Sequence, residues 1–358
     1  MNAILRTCRR PSAGLAAGLA AFLFAVGGTL ALPPAAAAFD LQGHRGARAL
    51  APENTLAGFR RALEVGVHTL ELDLGMSRDG VLVVAHDPRL NPAFTRDAQG
   101  RWITEPGAAL ATLTLAEIQS HDVGRLKPDA RYAQAFPRQR AVDGERMPTL
   151  DQVFEQVRAW GATGVRFNIE TKVTPLQVTP TAPPEAFAAA VVEAVRRHGL
   201  AARVTVQSFD WRSLQAVQRL APELGLAALT ARQPWLDNVG DARWTGGLRL
   251  ADHGGSVPRL VRALGTGTWS PFHGDLTESD LREAQALGLR VLPWTVNDLP
   301  TMERLIAWGV DGLITDDPGL AREAMAARGG PCRRRSSAEP PRQARAGATS
   351  PATSAGTA

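Results

Sequence analysis

Between residues 39 and 327 the chain has no cysteine, because Cys8 and Cys332 both fall outside that stretch. No disulfide and no thiolate metal site is therefore possible in a domain folded there. Stability has to come from an apolar core, and 358 residues with 44% apolar side chains suffice to build one in a single large domain or two smaller ones. A basic face for nucleic acid is missing as well. The formal net charge of +5 comes from the ends, since residues 39–327 carry 31 basic and 34 acidic side chains, and a mildly acidic domain offers nucleic acid no surface. Lysine is almost absent: Lys127 and Lys172 stand against 38 arginines.

Residues 1–38 contain no acidic side chain. Arg6, Arg9 and Arg10 precede an uncharged Ala-, Leu- and Gly-rich run, followed by Pro33, Pro34 and small residues. That is the order of a cleavable export signal, here ending near Ala38. An uncleaved anchor would call for a more strongly apolar run, so no stable membrane span is expected after cleavage. Arg9-Arg10 lacks the surroundings of a twin-arginine signal, and Cys8 precedes the apolar run, which does not suit lipid attachment. The mature protein is expected to be exported, periplasmic or secreted. Residues 328–358 have almost no large apolar side chains and include Arg333-Arg334-Arg335. Such a basic tail cannot bury enough surface to fold, and is expected to be disordered and solvated.

What remains alternates. Short apolar runs occur at 39–43, 69–74, 81–85, 165–170, 204–208, 225–230, 267–271, 290–294 and 311–315. Between many of them lie amphipathic stretches: Thr55 to Val65, Pro184 to Arg197, Trp211 to Leu220, Glu278 to Leu287 and Thr301 to Trp308. Several end at a glycine (Gly66, Gly199, Gly288, Gly309), as helices do. The rhythm predicts an α/β fold, a (β/α)8 TIM barrel over 39–327. Nine strand candidates compete for eight places. The turn Arg78-Asp79-Gly80 makes a hairpin of 69–74 and 81–85, one of which is then no stave of the barrel. Residues 88–148 are rich in Pro, Arg, Gln and Gly, with one short helix at Leu115 to Ser120. They read as an insertion capping the C-terminal face of the barrel, where ligands bind. Thr149 is placed to cap a helix running to Trp160.

The notable polar residues sit at the C-terminal ends of apolar runs, the face that holds the active site in such barrels. Glu71 and Asp73 are two apart on a strand and share a face, opposite Leu70, Leu72 and Leu74. Two carboxylates there repel unless a cation lies between them. With Glu170 they form an all-oxygen set suited to Ca²⁺ or Mg²⁺ rather than to a dedicated zinc site; the alternative is a salt-bridge network with Arg45 or Lys172. His44 and His86 titrate near neutrality and would form an acid–base pair. His121-Asp122 repeats the dipeptide His86-Asp87 but follows an amphipathic stretch, so it reads as a helix end. His68 and His198 read as helix-to-strand connections, His253 and His273 as structural rim residues. Arg45 has the planar fork that clamps phosphate oxygens, with Glu53 to orient it. Lys172 offers a compact ammonium beside Glu170. Gln207 and Phe209 are further mouth candidates, and Trp294 is either a wall for a glycerol-like group or a packed core side chain. Cleaving an inert, anionic phosphodiester calls for a cation on its oxygens, a base for the nucleophile and an acid for the leaving oxygen. Candidates for each are present.

Together these residues resemble the glycerophosphodiester phosphodiesterase family from about Asp40 to Pro318. The likeness is carried by His44-Arg45-Gly46, Pro52-Glu53-Asn54-Thr55, Glu71-Leu72-Asp73, His86-Asp87, Glu170-Thr171-Lys172, Gln207-Ser208-Phe209, Pro293-Trp294-Thr295-Val296-Asn297 and Asp311-Gly312-Leu313-Ile314-Thr315-Asp316, in that order. The resemblance implies a phospholipase-C-like barrel with one divalent cation on Glu71, Asp73 and Glu170, His44 and His86 as acid and base, and Arg45 and Lys172 on phosphate. Glu53, Asn54, Gln207, Phe209 and Trp294 complete the expected substrate-binding set. The implied reaction takes small-molecule glycerophosphodiesters such as glycerophosphocholine to glycerol 3-phosphate and an alcohol. It proceeds through a cyclic phosphate made by the glycerol 2-hydroxyl, an intramolecular nucleophile, or by direct attack of water. Lysophospholipase D activity, favoured by a long apolar groove in the insertion, and a non-catalytic glycerophosphodiester-binding protein are the rival readings. Nothing in the sequence sets the oligomeric state.

Overall fold

The computed structural model describes residues 38–176 and 179–327. The expected export signal, apart from Ala38, and the expected tail lie outside the described residues. In chain order the strands are β1 (Asp40–Gly43), β2 (Thr69–Met76), β3 (Leu82–Val84), β4 (Arg166–Thr171), β5 (Val204–Ser208), β6 (Gly225–Thr230), β7 (Arg232–Gln233), β8 (Leu236–Asp237), β9 (Thr268–Pro271), β10 (Arg290–Val291) and β11 (Gly312–Thr315). The helices are α1 (Leu56–Val65), α2 (Leu115–Gln119), α3 (Arg131–Ala135), α4 (Leu150–Ala159), α5 (Pro184–Arg197), α6 (Trp211–Leu220), α7 (Val257–Leu264), α8 (Glu278–Ala286), α9 (Leu299–Trp308) and α10 (Pro318–Ala327).

Eight strands run in parallel in the order β10-β9-β6-β5-β4-β2-β1-β11. The seam between β10 and β11 is bridged by the N–H groups of Asp311, Ile314 and Val296, which donate to the carbonyls of Val291, Pro293 and Ile314, each at 3.0 Å. The result is the (β/α)8 barrel that the alternation predicts. β3 pairs antiparallel with β2, Leu74 opposite Val84 and Met76 opposite Leu82, so the run 81–85 is the surplus hairpin partner. The run 290–294 contracts to two residues, because Pro293 has no N–H to extend a ladder. α9 starts earlier than its apolar pattern suggests, capped by Asp298, whose Oδ1 accepts the Thr301 N–H at 2.9 Å, with Pro300 in the first turn. α3, α7 and α10 go beyond the predicted helices: α3 and α7 are only five and eight residues long, and α10 is rich in alanine, with little contrast between its faces.

The two faces of the staves do different work. Leu41, Leu70, Leu72, Leu74, Phe167 and Ile169 are buried against the helices, packing with Phe59, Val153, Phe187 and Trp211 in the main core. The alternate positions carry polar side chains that hydrogen-bond across the barrel interior. Asp40 accepts from Thr69 Oγ1 (2.7 Å), Arg166 Nη2 (2.8 Å) and Gln42 Nε2 (2.9 Å). Asn168 Nδ2 donates to Gln42 Oε1 and Gln207 Oε1, both at 2.8 Å, and Gln207 Nε2 donates to Glu71 Oε1 at 2.8 Å. A connected polar column therefore rises from the bottom of the barrel to Glu71.

The insertion has its own small core: Leu90, Phe94, Leu110, Ile118, Val123 and Met147 are buried with Val83 and Ala85. Its far end docks on the loop after β1, where Gln139 Nε2 donates to the Arg48 carbonyl (2.8 Å) and the Arg140 N–H to the Leu50 carbonyl (3.0 Å). No helix among the described residues is long and apolar enough to cross a membrane.

Replacing Asn168 by Leu removes the donor to two buried acceptors, Gln42 Oε1 and Gln207 Oε1, each worth about 1–3 kcal/mol when left unsatisfied. Asn168→Leu should therefore destabilise the chain by roughly 2–5 kcal/mol in urea unfolding; an unchanged midpoint would show that the column contributes nothing to stability.

Candidate active site

The loop that leaves β1 sets the geometry. Arg45 adopts φ +51°, a left-handed conformation that costs a non-glycine residue about 1–2 kcal/mol. In return its backbone N–H donates to Glu71 Oε2 at 2.7 Å. Gly46 follows at φ +89°, and a Cβ there would lie 2.7–2.8 Å from the Gly58 carbonyl carbon and oxygen, so the motif admits no side chain at this position. The Arg45 guanidinium donates through Nη1 to Glu53 Oε1 at 2.8 Å, and its Nε lies 3.4 Å from Asp73 Oδ2. Asn54, at φ +53°, donates through Nδ2 to Asp73 Oδ2 at 2.9 Å.

Glu71 and Asp73 from β2 and Glu170 from β4 converge, each buried and each offering an oxygen within 4.8 Å of the others. Lys172 Nζ sits 2.7 Å from Glu170 Oε1 and 3.0 Å from Asp73 Oδ1. Burial opposes ionisation of Asp73, but Lys172, His86 and Arg45 hold it well below the usual carboxylate range. Burial and the neighbouring Asp73 push Glu71 well above that range, and burial pushes Glu170 up to about 7 in spite of Lys172. Three carboxylates with two raised in this way are short of positive charge. An all-oxygen, buried, mutually adjacent set with that deficit fits a hard divalent cation.

Each histidine is anchored at Nδ1 by a carboxylate, which leaves Nε2 for the site. His44 Nδ1 lies 2.6 Å from Asp316 Oδ1, just past β11. Asp316 also accepts from Arg48 Nε (2.9 Å), Arg48 Nη2 (2.8 Å) and Asn297 Nδ2 (2.7 Å). His86 Nδ1 lies 2.8 Å from Asp87 Oδ1, and Asp87 Oδ2 accepts from Asn91 Nδ2 at 2.6 Å. Burial, helped by Arg48 and Arg45, lowers His44 to about 4 against the pull of Asp316. Burial, with Arg45 and Lys172, lowers His86 as well.

A cavity of about 220 Å³ opens over these groups, with the carboxylates, histidines and cations on one side and Phe209, Leu229, Trp294 and Ile314 on the other. His44, Arg45, Glu71, His86, Glu170, Lys172, Gln207, Phe209 and Trp294 all line it. Asp73 lies behind Lys172. Glu53 and Asn54 face Arg45 and Asp73 and line a smaller adjoining hollow beside His86. Elsewhere His121 sits just past α2, its Nδ1 2.9 Å from the Glu117 carbonyl, and His198 caps α5 beside Asp151.

Four groups that matter to this geometry had no role in the sequence reading. Asp87 follows His86 and Asp316 ends the run Asp311 to Asp316, and both lie just past a strand end. Arg48 holds Asp316 and also donates to Tyr132 Oη at 3.1 Å. Tyr132, the chain's single tyrosine, comes from α3 in the insertion and donates to Glu53. Its rarity was the one available signal; its partner is 79 residues away.

The sequence pattern of the glycerophosphoryl diester phosphodiesterase family matches residues 44–320. A glycerophosphodiester phosphodiesterase of Caldanaerobacter subterraneus subsp. tengcongensis is 29% identical over 278 residues, 77% of this chain and 93% of that one. A crystal structure of a candidate glycerophosphoryl diester phosphodiesterase from Silicibacter pomeroyi DSS-3 is similar with a TM-score of 0.74 and 35% identity, over 82% of this chain and 95% of that one. An Oleispira antarctica phosphodiesterase, solved with its product sn-glycerol-3-phosphate, shares the fold at a TM-score of 0.58 and 23% identity, over 80% and 96%.

Asp316→Asn preserves shape but removes the charge that fixes the His44 tautomer. Turnover of a phosphodiester substrate should fall on the order of 10²–10⁴-fold in protein whose near-UV circular dichroism is unchanged. Retention of most of the activity would show that this anchor is dispensable.

Proposed function

The chain belongs to the glycerophosphoryl diester phosphodiesterase family and is a phosphoric diester hydrolase, and from that premise we propose that the cavity hydrolyses glycerophosphodiesters to glycerol 3-phosphate and an alcohol with the help of one divalent cation. The observation that carries this reading is the meeting, in one cavity, of a buried carboxylate trio with two carboxylate-anchored histidines and two cations. The product bound to the Oleispira antarctica phosphodiesterase supports the choice of glycerol 3-phosphate.

Glu71, Asp73 and Glu170 would hold the cation, Ca²⁺ or Mg²⁺. Once bound, it supplies positive charge against the non-bridging phosphate oxygens. Arg45 and Lys172 add fixed cations on the same side, Arg45 oriented by Glu53 and Lys172 by Glu170. His44, neutral down to about pH 4, takes the proton of the nucleophile on Nε2. That nucleophile is the substrate's own glycerol 2-hydroxyl or a water. Phosphorus then parts from the alcohol oxygen, which receives a proton from Nε2 of His86; Asp87 and the bound phosphate both favour the protonated form of that ring. Gln207 holds Glu71, and Phe209 and Trp294 wall the apolar side. The basic, acid-free order of residues 1–38, that of an export signal, supports a reaction outside the cytoplasm.

Glycerol 3-phosphate release from glycerophosphocholine should stop with EDTA and return with added Ca²⁺ or Mg²⁺. It should fall at least about 10³-fold in His86→Ala, which removes an acid–base group. Release that persists in EDTA would contradict the metal assignment, and no release with any cation from folded protein would contradict the activity itself.

A further inference from the structure

The apolar side of the cavity does not end at its mouth. Trp294 meets Phe209 at 5.2 Å between ring centroids and 83° between planes, and Phe272 at 5.5 Å and 59°. Phe272 in turn meets Trp235 at 5.5 Å and 88°, and Trp235 lies 6.1 Å from Trp294 at 75°. The four rings form a shelf leading from the phosphodiester site to solvent. Trp235 is 59% exposed, yet it is not on a loose loop. It lies at the tip of the β7–β8 ribbon, where Arg232 pairs with Asp237 and Gln233 with Leu236. Asp275 accepts from the Arg232 N–H at 2.7 Å and from Gln233 Nε2. Asn238, just past the ribbon, donates to the carbonyls of Phe209 and Leu229 at 3.0 Å. The backbone thus holds a large aromatic face out in water beside the cavity.

Three observations say what that face is for. Among the described residues, five rings carry an arginine guanidinium at 4.7–5.6 Å from the centroid: Phe136, Trp160, Trp102, Phe167 and Trp308. In a chain with 38 arginines, no such stack falls on the four shelf rings; Phe272 has the His273 ring 4.7 Å from its centroid, while the exposed indole of Trp235 is left to a ligand. The rings meet at angles of 59–88°, a corner that suits a compact, roughly spherical group better than a flat or extended one. Finally, the apolar side chains of the insertion are buried in a core of their own and none of them lines the cavity, so they offer no groove for an acyl chain.

We propose that Trp235, Phe272 and Trp294 form a subsite for a quaternary ammonium group, so that the enzyme selects glycerophosphodiesters whose alcohol is of the choline type. This rests on the phosphodiesterase reading above and deepens it. The anionic phosphate engages Arg45 and Lys172, while the trimethylammonium, two carbons from the ester oxygen, lies against the aromatic corner through cation–π attraction.

The full chain, with added Ca²⁺ or Mg²⁺, is assayed on glycerophosphocholine, its uncharged 3,3-dimethylbutyl isostere, glycerophosphoglycerol and lysophosphatidylcholine, as wild type, Trp235→Phe and Trp235→Ala. Glycerophosphocholine should exceed the isostere in kcat/KM by about 2- to 30-fold. Trp235→Ala should raise KM for glycerophosphocholine by a similar factor, with kcat and the glycerophosphoglycerol reaction unchanged, and Trp235→Phe should retain part of the preference. An isostere as good as glycerophosphocholine, an equal loss on every substrate, or a loss confined to lysophosphatidylcholine would overturn the proposal, the last naming an acyl site instead. Choline alone, titrated while its methyl proton resonance is followed, should broaden with wild type and not with Trp235→Ala. That readout is independent of turnover: choline broadening without any diester hydrolysis would refute the phosphodiesterase reading and leave the subsite standing, whereas hydrolysis without choline preference or broadening would do the reverse.

Discussion

Three carboxylates buried within reach of one another repel, and much of what surrounds them answers that repulsion. Glu71, Asp73 and Glu170 lie where water cannot screen them. Lys172 bridges two of them, Arg45 approaches Asp73, and the backbone N–H of Arg45 is turned onto Glu71 by a left-handed φ that arginine rarely adopts. From below, Gln207 donates to Glu71 and is itself tied through Asn168 and Gln42 to Asp40. Even so, Glu71 and Glu170 remain raised. The protein concentrates negative charge and stops short of neutralising it, which is what a cation site requires of its apo form.

The same economy of positioning extends outward through the insertion. Tyr132 donates to Glu53, which orients Arg45, and accepts from Arg48, which holds Asp316 and so the His44 ring. Arg48 also stacks over Phe136 at 4.7 Å. One segment of the insertion therefore braces both the Arg45 guanidinium and the His44 ring. This is why a stretch that reads as an irregular cap is folded around a core of its own: a loose cap could not hold these two side chains to fixed directions.

Much of this was legible along the chain. The barrel followed from alternation alone, and the rule that function collects at the C-terminal ends of staves gathered His44, Glu71, His86, Glu170, Lys172 and Gln207 into one cavity. The hairpin 81–85 could be suspected from its turn. What stayed hidden were partners that depend on folding rather than on local pattern. Asp316 meets His44 across 272 positions, and Tyr132 reaches Glu53 from a segment without clear periodicity. The polar column was invisible for another reason: Gln42 and Asn168 sit on strands that are not neighbours in the sheet, and only the curvature of the barrel makes their hydrogen bond to each other possible. Glu53 and Asn54 show the opposite limit, since their motif was plain but their work, holding Arg45 and Asp73, is one step removed from the cavity.

The central claim is that the carboxylate trio is a cation site kept short of positive charge. Calorimetric titration of Ca²⁺ or Mg²⁺ into the metal-free chain, in buffers of different ionisation enthalpy, measures it directly. Because the Glu170 carboxyl is raised to about 7 and Glu71 is raised as well, a cation must displace protons to bind. Binding with net proton release, tightening as pH rises from 6 to 8 and lost in Glu71→Gln, is the result this account predicts. Binding with no proton release and the same affinity across that range, or binding undisturbed by Glu71→Gln, would contradict it.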